Sequence, residues 1–362
     1  MPAPVGRDFE HTRGQLEAWL PERLASRFGD VEGVRVGELT GPEATGFSSD
    51  TLLFDVSWMG RDGLQALGLV ARIRPTRMFL FPEYDLDAQF RILSALEPTD
   101  VSVPKPYWQE TSGDVIGAPF YLMERVTGRT PADNPPYNAA GWVTEIEPDE
   151  RAAMWRDYLE TLVRIRRLDV DALGLGFLAK PELGETPLAQ ELRYYENYLE
   201  WIYAGREHPH VSRSLPWLRE NLPSQGDSVL SWGDARIGNM IFQQGRGIAV
   251  LDWEMARLGD PRMDLAWGLF LERYHTEGNN VERLPGFMAR EQTLALYQEI
   301  EGSAVESIEW FEVLAGMRFS VILTRLAQQL MDQDFLPKDS DFEWNNPVSN
   351  LHARQLEELG IV

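Results

Sequence analysis

Residues 231–267 read SWGDARIGNMIFQQGRGIAVLDWEMARLGDPRMDLAW, and the reading of this stretch decides the architecture around it. Two strand-like runs, Met240–Gln243 and Ile248–Leu251, flank Gln244-Gly245-Arg246-Gly247, whose glycines are free to take positive φ. A hairpin with those four residues as its loop sets Gln243 opposite Ile248, and hence Asn239 opposite Asp252 at the open end. An amide oxygen beside a carboxylate is a hard-oxygen pair suited to magnesium, which keeps water and phosphate oxygens as its other ligands. Asp234 lies five residues before Asn239 on a Gly-containing loop and can approach the same place without binding the metal. A carboxylate so placed orients a hydroxyl nucleophile and takes its proton late. Asp260-Pro261 reads as a helix N-cap followed by proline at the first helical position, with Asp264 in the first turn. On the residues alone, a structural cluster of polar loop side chains stays open beside this reading.

Outward from the stretch, the chain changes character once. Phe9–Phe28 carries Leu16, Trp19, Leu20, Leu24 and Phe28 at helical spacing, with Pro21 interrupting the run or opening a new turn. Strand signals follow at Val34–Leu39, Thr51–Trp58 and Gly68–Arg74, then a helix ending near Leu96, then strands at Pro104–Gln109 and Pro119–Arg125. Residues 127–149 read as an irregular linker or flap. Helices dominate afterwards, with stripes at Trp155, Leu159, Leu162 and Ile165 and at Phe319, Ile322, Leu323, Leu326 and Leu330. Sheet first and helices later predicts a segregated α+β architecture of two lobes, 1–125 and 126–362, with a hinge near 123–127 and a ligand cleft between the lobes.

Composition narrows the function. The 362 residues include no cysteine, which excludes disulfides, thiolate metal sites and cysteine nucleophiles. The net charge of −23, from 57 acidic and 34 basic residues, repels nucleic acid and anionic membranes, so neither is an expected partner. It also repels nucleotides at long range, so a nucleotide site needs local cations. The first twenty residues lack the apolar run of a signal peptide, and no stretch is apolar enough to cross a bilayer, so a cytoplasmic protein is expected.

The 231–267 stretch resembles the catalytic core of the aminoglycoside phosphotransferase family, a branch of the protein-kinase-like fold. The family pattern runs His-Gly-Asp, four residues, Asn, a hairpin, Ile/Leu-Asp-Trp, then Gly-Asp-Pro-x-x-Asp-Leu-Ala. Here it reads Trp232-Gly233-Asp234, Asn239, Leu251-Asp252-Trp253-Glu254 and Gly259-Asp260-Pro261-Arg262-Met263-Asp264-Leu265-Ala266. The resemblance implies Asp234 as catalytic base, Asn239 and Asp252 as magnesium ligands, and Asp260 and Asp264 as structural supports of the loop. The chain departs from the pattern at Trp232, where the family has a loop-supporting histidine. An indole packs but offers only a donor.

Weaker resemblance extends over residues 34–330. Residues 41–56 are similar to the family's Gly/Ser-rich turn, in which Gly46, Ser48 and Ser49 offer donors to phosphates. Residues 69–75 are similar to the strand whose cation pairs with the α/β-phosphates; the matching residue is Arg72, with Arg74 as rival. Its partner acid aligns with Asp87, with Asp85 or Glu83 as substitutes, and backbone groups around Glu124–Val126 would hold the adenine edge. The resemblance thus implies a small-molecule kinase using ATP or GTP with magnesium and acting on a hydroxyl. The Glu254 position, the hinge and the arginine for lysine are closest to a branch outside the dedicated resistance enzymes, which includes kinases of hydroxylated acyl compounds, so the expected acceptor is a hydroxylated metabolite, acyl compound or xenobiotic. An aminoglycoside phosphotransferase proper, drawing polycations to the acidic segment Asp332–Glu343, and a nucleotide-binding pseudokinase scaffold are the alternatives.

Overall fold

The structure, a computed structural model, describes residues 8–41, 50–76, 79–224 and 226–361. It opens with α1 (Phe9–Phe28), capped by the Asp8 carboxylate, which accepts from His11 N at 3.0 Å. Pro21 neither ends nor restarts this helix. Leu16, Leu20 and Leu24 are fully buried along one face, and that burial outweighs the backbone bond that proline removes. Then β1 (Glu32–Val36), β2 (Asp50–Gly60) and β3 (Gly63–Ile73) pair antiparallel in sequence. After α2 (Leu86–Leu96), β4 (Pro106–Glu110) and β5 (Phe120–Glu124) complete a five-stranded antiparallel sheet of order β1-β2-β3-β5-β4. Alternate residues of the central strands, Leu52, Phe54, Val56 and Trp58 on β2 and Leu69, Ala71 and Ile73 on β3, form one core with the buried leucines of α1.

The chain divides into two compact units: residues up to Phe79 with Glu83–Thr127, and Leu80–Pro82 with Gly128 onward. The second is mostly helical, with α3 (Pro148–Arg166), α4 (Pro187–Tyr203) and α5 (Val211–Glu220) before a short antiparallel region. That region holds β6 (Val229–Ser231), the hairpin of β7 (Met240–Gln243) and β8 (Arg246–Val250), and β9 (Arg257–Gly259), which pairs with β6. It is followed by α6 (Arg262–His275), α7 (Arg290–Glu301), α8 (Ile308–Asp332) and α9 (Pro347–Glu358). Sheet and helices are thus segregated in the α+β manner. The 127–149 segment is tied down rather than a free flap: Arg129 bridges Phe242 of β7, and Trp142 Nε1 donates to Thr130 O at 3.0 Å.

The stripe expected on α8 is displaced. Of its residues Ile322 is buried but Phe319, Leu323, Leu326 and Leu330 are only half-buried, whereas Val313, Met317, Val321 and Ala327 are buried. The helix packs against α4, α5, α6 and α9, so burial extends most of the way around it and apolar periodicity loses its phase. Among the described residues no helix is long and apolar enough to cross a membrane.

Candidate active site

The loop carrying Asp234 is shaped by what holds Gly233. This glycine has φ +90°, and a Cβ on it would lie 2.2 Å from the Met255 carbonyl oxygen, so only glycine fits. Asp264, in the first turn of α6, gathers the residues before Asp234: Ser231 Oγ and Trp232 N donate to it at 2.7 Å each, and Gly233 N at 3.0 Å. Burial pushes the Asp264 carboxyl above its ordinary value, while those three donors and the Arg318 charge pull the other way. Trp232 is fully buried, and its Nε1 donates to Leu251 O at 2.8 Å. Where the family pattern has histidine, this chain thus ties the Asp234 loop to the residue before Asp252 with an indole N–H. From below, Tyr158 on α3 donates to Ala235 O at 2.9 Å; Gly268 makes room for that hydroxyl, since a Cβ there would lie 1.9 Å from it.

Asp234 itself accepts three side-chain bonds. Trp267 Nε1 reaches Oδ1 at 2.8 Å, and Asn239 Nδ2 and Arg236 Nε reach Oδ2 at 2.7 and 3.0 Å. Because the Asn239 amide nitrogen is spent on Asp234, its carbonyl oxygen is the atom left for a cation. Arg236 also pairs with Asp133, which lies 3.3 Å from His275 Nε2. Burial works against the Arg236 charge, but Asp133, Asp234 and Asp252 together hold its pKa above the ordinary arginine value. Asp234, Asn239 and Asp252 are therefore brought into one neighbourhood around Arg236.

The hairpin reaches that arrangement by a different register from the expected one. The turn is two residues, Gln244 and Gly245, both at positive φ (51° and 74°), so Gln243 faces Arg246. Ile248 is the extra residue of a β-bulge, and at the open end Leu251 N donates to Asn239 O at 2.8 Å. Asn239 accordingly opposes Leu251, not Asp252. Asp252 stands one residue further on in a left-handed conformation, φ 60° and ψ 66°, which re-aims the chain into the turn Trp253–Met255.

Asp260 is not the N-cap of α6. The helix starts at Arg262 with Pro261 in the capping position, already helical at φ −60°. The Asp260 carboxylate instead accepts Arg262 Nε at 2.8 Å, Arg262 Nη2 at 2.7 Å and the main-chain N–H groups of Arg262 (3.0 Å) and Gly226 (3.1 Å). It cross-links the chain before β6 to the start of α6.

In the first unit, Arg72 is half-buried on β3 between Thr51 of β2 and Tyr121 of β5. Arg74, the rival cation, lies exposed past the end of β3. Asp87 accepts Gln109 Nε2 at 3.2 Å and stands 3.6 Å from Arg91. Asp85 is the α2 N-cap, accepting Ala88 N at 2.8 Å, which commits it locally. At the end of β5, Glu124 N donates to Lys105 O (2.8 Å) and Arg125 N to Gly68 O (2.9 Å), so both N–H groups are spent within the unit. Among the described residues Val126 N has no such bond. Gly46, Ser48 and Ser49 lie outside the described residues.

Sequence reasoning missed Arg236, Arg318 and the Trp267 indole N–H that donates to Asp234. Arg318, a single cation inside the apolar run VLAGMRFSVIL, is the legible signal for a buried, paired charge. Among the described residues no group of three or more His, Asp or Glu is arranged to hold a metal.

The profile of the phosphotransferase enzyme family matches residues 46–303. An Arabidopsis thaliana protein named as an acyl-CoA dehydrogenase is 30% identical over 283 residues, covering 73% of this chain and 33% of that protein. The chain thus spans about a third of the length of that curated relative. A structure from Ralstonia eutropha JMP134, provisionally described as an aminoglycoside phosphotransferase, superposes with a TM-score of 0.68 at 21% identity, covering 95% of this chain and 98% of that one. Aminoglycoside phosphotransferase APH(4)-Ia, solved with AMP-PNP and hygromycin B, gives 0.56 at 16% identity, covering 93% and 98%. Both structures share the fold. The match of the family profile over most of the chain establishes that this protein belongs to the phosphotransferase enzyme family.

Proposed function

We propose that the protein transfers the γ-phosphoryl group of ATP to the hydroxyl of a hydroxylated acyl compound, with Asp234 as the catalytic base. The observation that carries this reading is the Asp234 carboxylate itself. It is held on both oxygens by Trp267, Asn239 and Arg236, and Asp252 acts on the same Arg236 charge. A carboxylate fixed this way can orient an acceptor hydroxyl and receive its proton as the oxygen–phosphorus bond forms and the bond to ADP breaks. Asn239 Oδ1 and the Asp252 carboxylate would hold magnesium, whose chemistry is to neutralise charge on the phosphates, with phosphate oxygens and water as its remaining ligands. Arg236 supplies positive charge next to the base. On the first unit, Arg72 is assigned to the nucleotide phosphates with Asp87 as its support, the Val126 N–H to the purine edge, and Gly46, Ser48 and Ser49 to the phosphates. Trp232, Asp260 and Asp264 brace the catalytic loop.

The acyl acceptor is supported by the acyl-CoA dehydrogenase name of the relative, a third of whose length this chain matches. The net charge of −23 favours a second acceptor class, polycationic aminoglycosides. Incubation with magnesium-ATP and hydroxylated acyl compounds, followed by phosphorus NMR and mass spectrometry, tests the choice. Gain of one phosphoryl group on the acyl hydroxyl is the expected result; phosphorylation of aminoglycosides alone overturns the acyl assignment.

A further inference from the structure

The loops bearing Asp234 and Asp252 share one support, and we infer that Glu191, Arg318 and Arg257 are positioning residues that hold the base and the cation-ligand segment in mutual register. Arg318 lies in mid-α8 and is 1% exposed. Its Nη2 donates to Gly233 O at 3.1 Å, the carbonyl of the peptide that leads into Asp234. Since Gly233 N is bonded to Asp264, both main-chain polar groups of that glycine are held. Arg257, on β9, donates from Nε to Met255 O at 3.2 Å, closing the turn that follows Asp252. Glu191 on α4, also 1% exposed, joins the two by charge: Oε1 lies 3.0 Å from Arg318 Nε, whose N–H donates to Tyr195 OH at 3.3 Å, and Oε2 pairs with Arg257 Nη1. The cluster touches the base by a second route, because the Arg318 guanidinium lies 4.7 Å from the centre of the Trp267 ring whose N–H donates to Asp234.

A stabilising role alone does not account for this arrangement. Buried ion pairs are often no better for stability than apolar side chains of equal volume. What the arginines add is direction. A guanidinium fork can pair with a carboxylate and still aim another N–H at a main-chain carbonyl, which a lysine ammonium cannot do with the same reach. One carboxylate on α4 thereby couples a carbonyl beside the base to a carbonyl three residues beyond Asp252. The close packing of Gly233 against Met255 O sets the same two segments against each other.

Amide hydrogen exchange on the full chain separates coupling from local support. Arg318→Lys keeps the charge but loses the fork. Exchange should quicken about tenfold at residues 231–239 and also at residues 252–256, although Arg318 bonds only the first segment. Arg257→Lys should do the same from the other side, and Glu191→Gln should loosen both; if Glu191→Gln fails to fold, the two lysine variants decide. Exchange that rises only in the segment losing its own bond, or in neither, overturns the inference. The kinetic arm rests on the phosphotransfer reading. In Arg318→Lys, kcat should fall roughly 10- to 100-fold with the nucleotide KM within about twofold, and half-maximal activity should need more magnesium. A cluster that only stabilises would lower the folded fraction and leave kcat per folded molecule and magnesium dependence unchanged, which also overturns it. If wild type transfers phosphate to no acceptor, the reaction assignment fails while the exchange result still decides the coupling.

Discussion

Replacing Asp264 with asparagine should cost this protein far more than its isosteric shape suggests. The carboxylate takes Trp232 N on Oδ2 and both Ser231 Oγ and Gly233 N on Oδ1. Asparagine has one acceptor oxygen. With that oxygen left toward Ser231 and Gly233, its amide nitrogen faces the Trp232 N–H. One charge-assisted bond is lost, about 1.5–3 kcal/mol, and two buried donors are left opposed, about 1–3 kcal/mol. Burial already pushes the Asp264 carboxyl up, so removing its charge returns part of the desolvation cost. The net is about 3 kcal/mol, or a fall in Tm of roughly 6–12 °C for a unit of this size. Ser231→Ala makes the comparison sharp, because it deletes one donor and leaves the carboxylate two; it should cost about 1 kcal/mol. Differential scanning calorimetry at pH 7 reads both. An Asp264→Asn protein melting within about 2 °C of wild type, or no lower than Ser231→Ala, would refute the bracing role.

Other consequences follow from the same geometry. Gly268→Ala should drive the Tyr158 hydroxyl off Ala235 O, lowering Tm and activity together, and adding Tyr158→Phe should restore part of the Tm; no recovery in the double variant would count against the steric account. Trp232→Phe removes the bond to Leu251 O and leaves that carbonyl without its donor, so stability should fall by about 2–4 kcal/mol in denaturant titrations. Burial holds His208 and His352 down to about 3 and about 4, against 6.5 for the free side chain. Below pH 6.5 the unfolded chain binds protons that the folded one refuses, so stability should decline on acidification. The slope is about 1.4 kcal/mol per pH unit for each histidine until its folded pKa is reached, and His352→Gln should make the decline shallower.

What the sequence disclosed and what it concealed divide along physical lines. The Asp-x4-Asn spacing, the strands with period two and the buried face of α1 were legible because local pattern and burial agree there. The hairpin register was not, because the number of residues in the turn and the bulge at Ile248 are set by backbone twist, and several glycines offered equal starting points. The N-cap at Asp260 failed for a related reason: its carboxylate is claimed by the Arg262 guanidinium and by Gly226, a contact 34 residues away in sequence. Arg318 acts through Glu191 on another element, and Arg236 through distant Asp133 as well as nearby Asp234; neither distant partner lies in a local window. Pro21 shows the reverse failure, a strong local signal overruled by tertiary burial.

The most direct test of the central claim is magnesium-dependent ADP release by wild type and Asp234→Ala, each offered hydroxylated acyl compounds and aminoglycosides in parallel, with nucleotide binding measured on both. The account predicts acceptor-stimulated release by wild type that falls by roughly 10²- to 10⁴-fold in Asp234→Ala while nucleotide binding persists. Release that survives the substitution, or tight nucleotide binding with no transfer to any acceptor, would contradict the assignment of Asp234 as the base and turn the reading toward a nucleotide-binding scaffold.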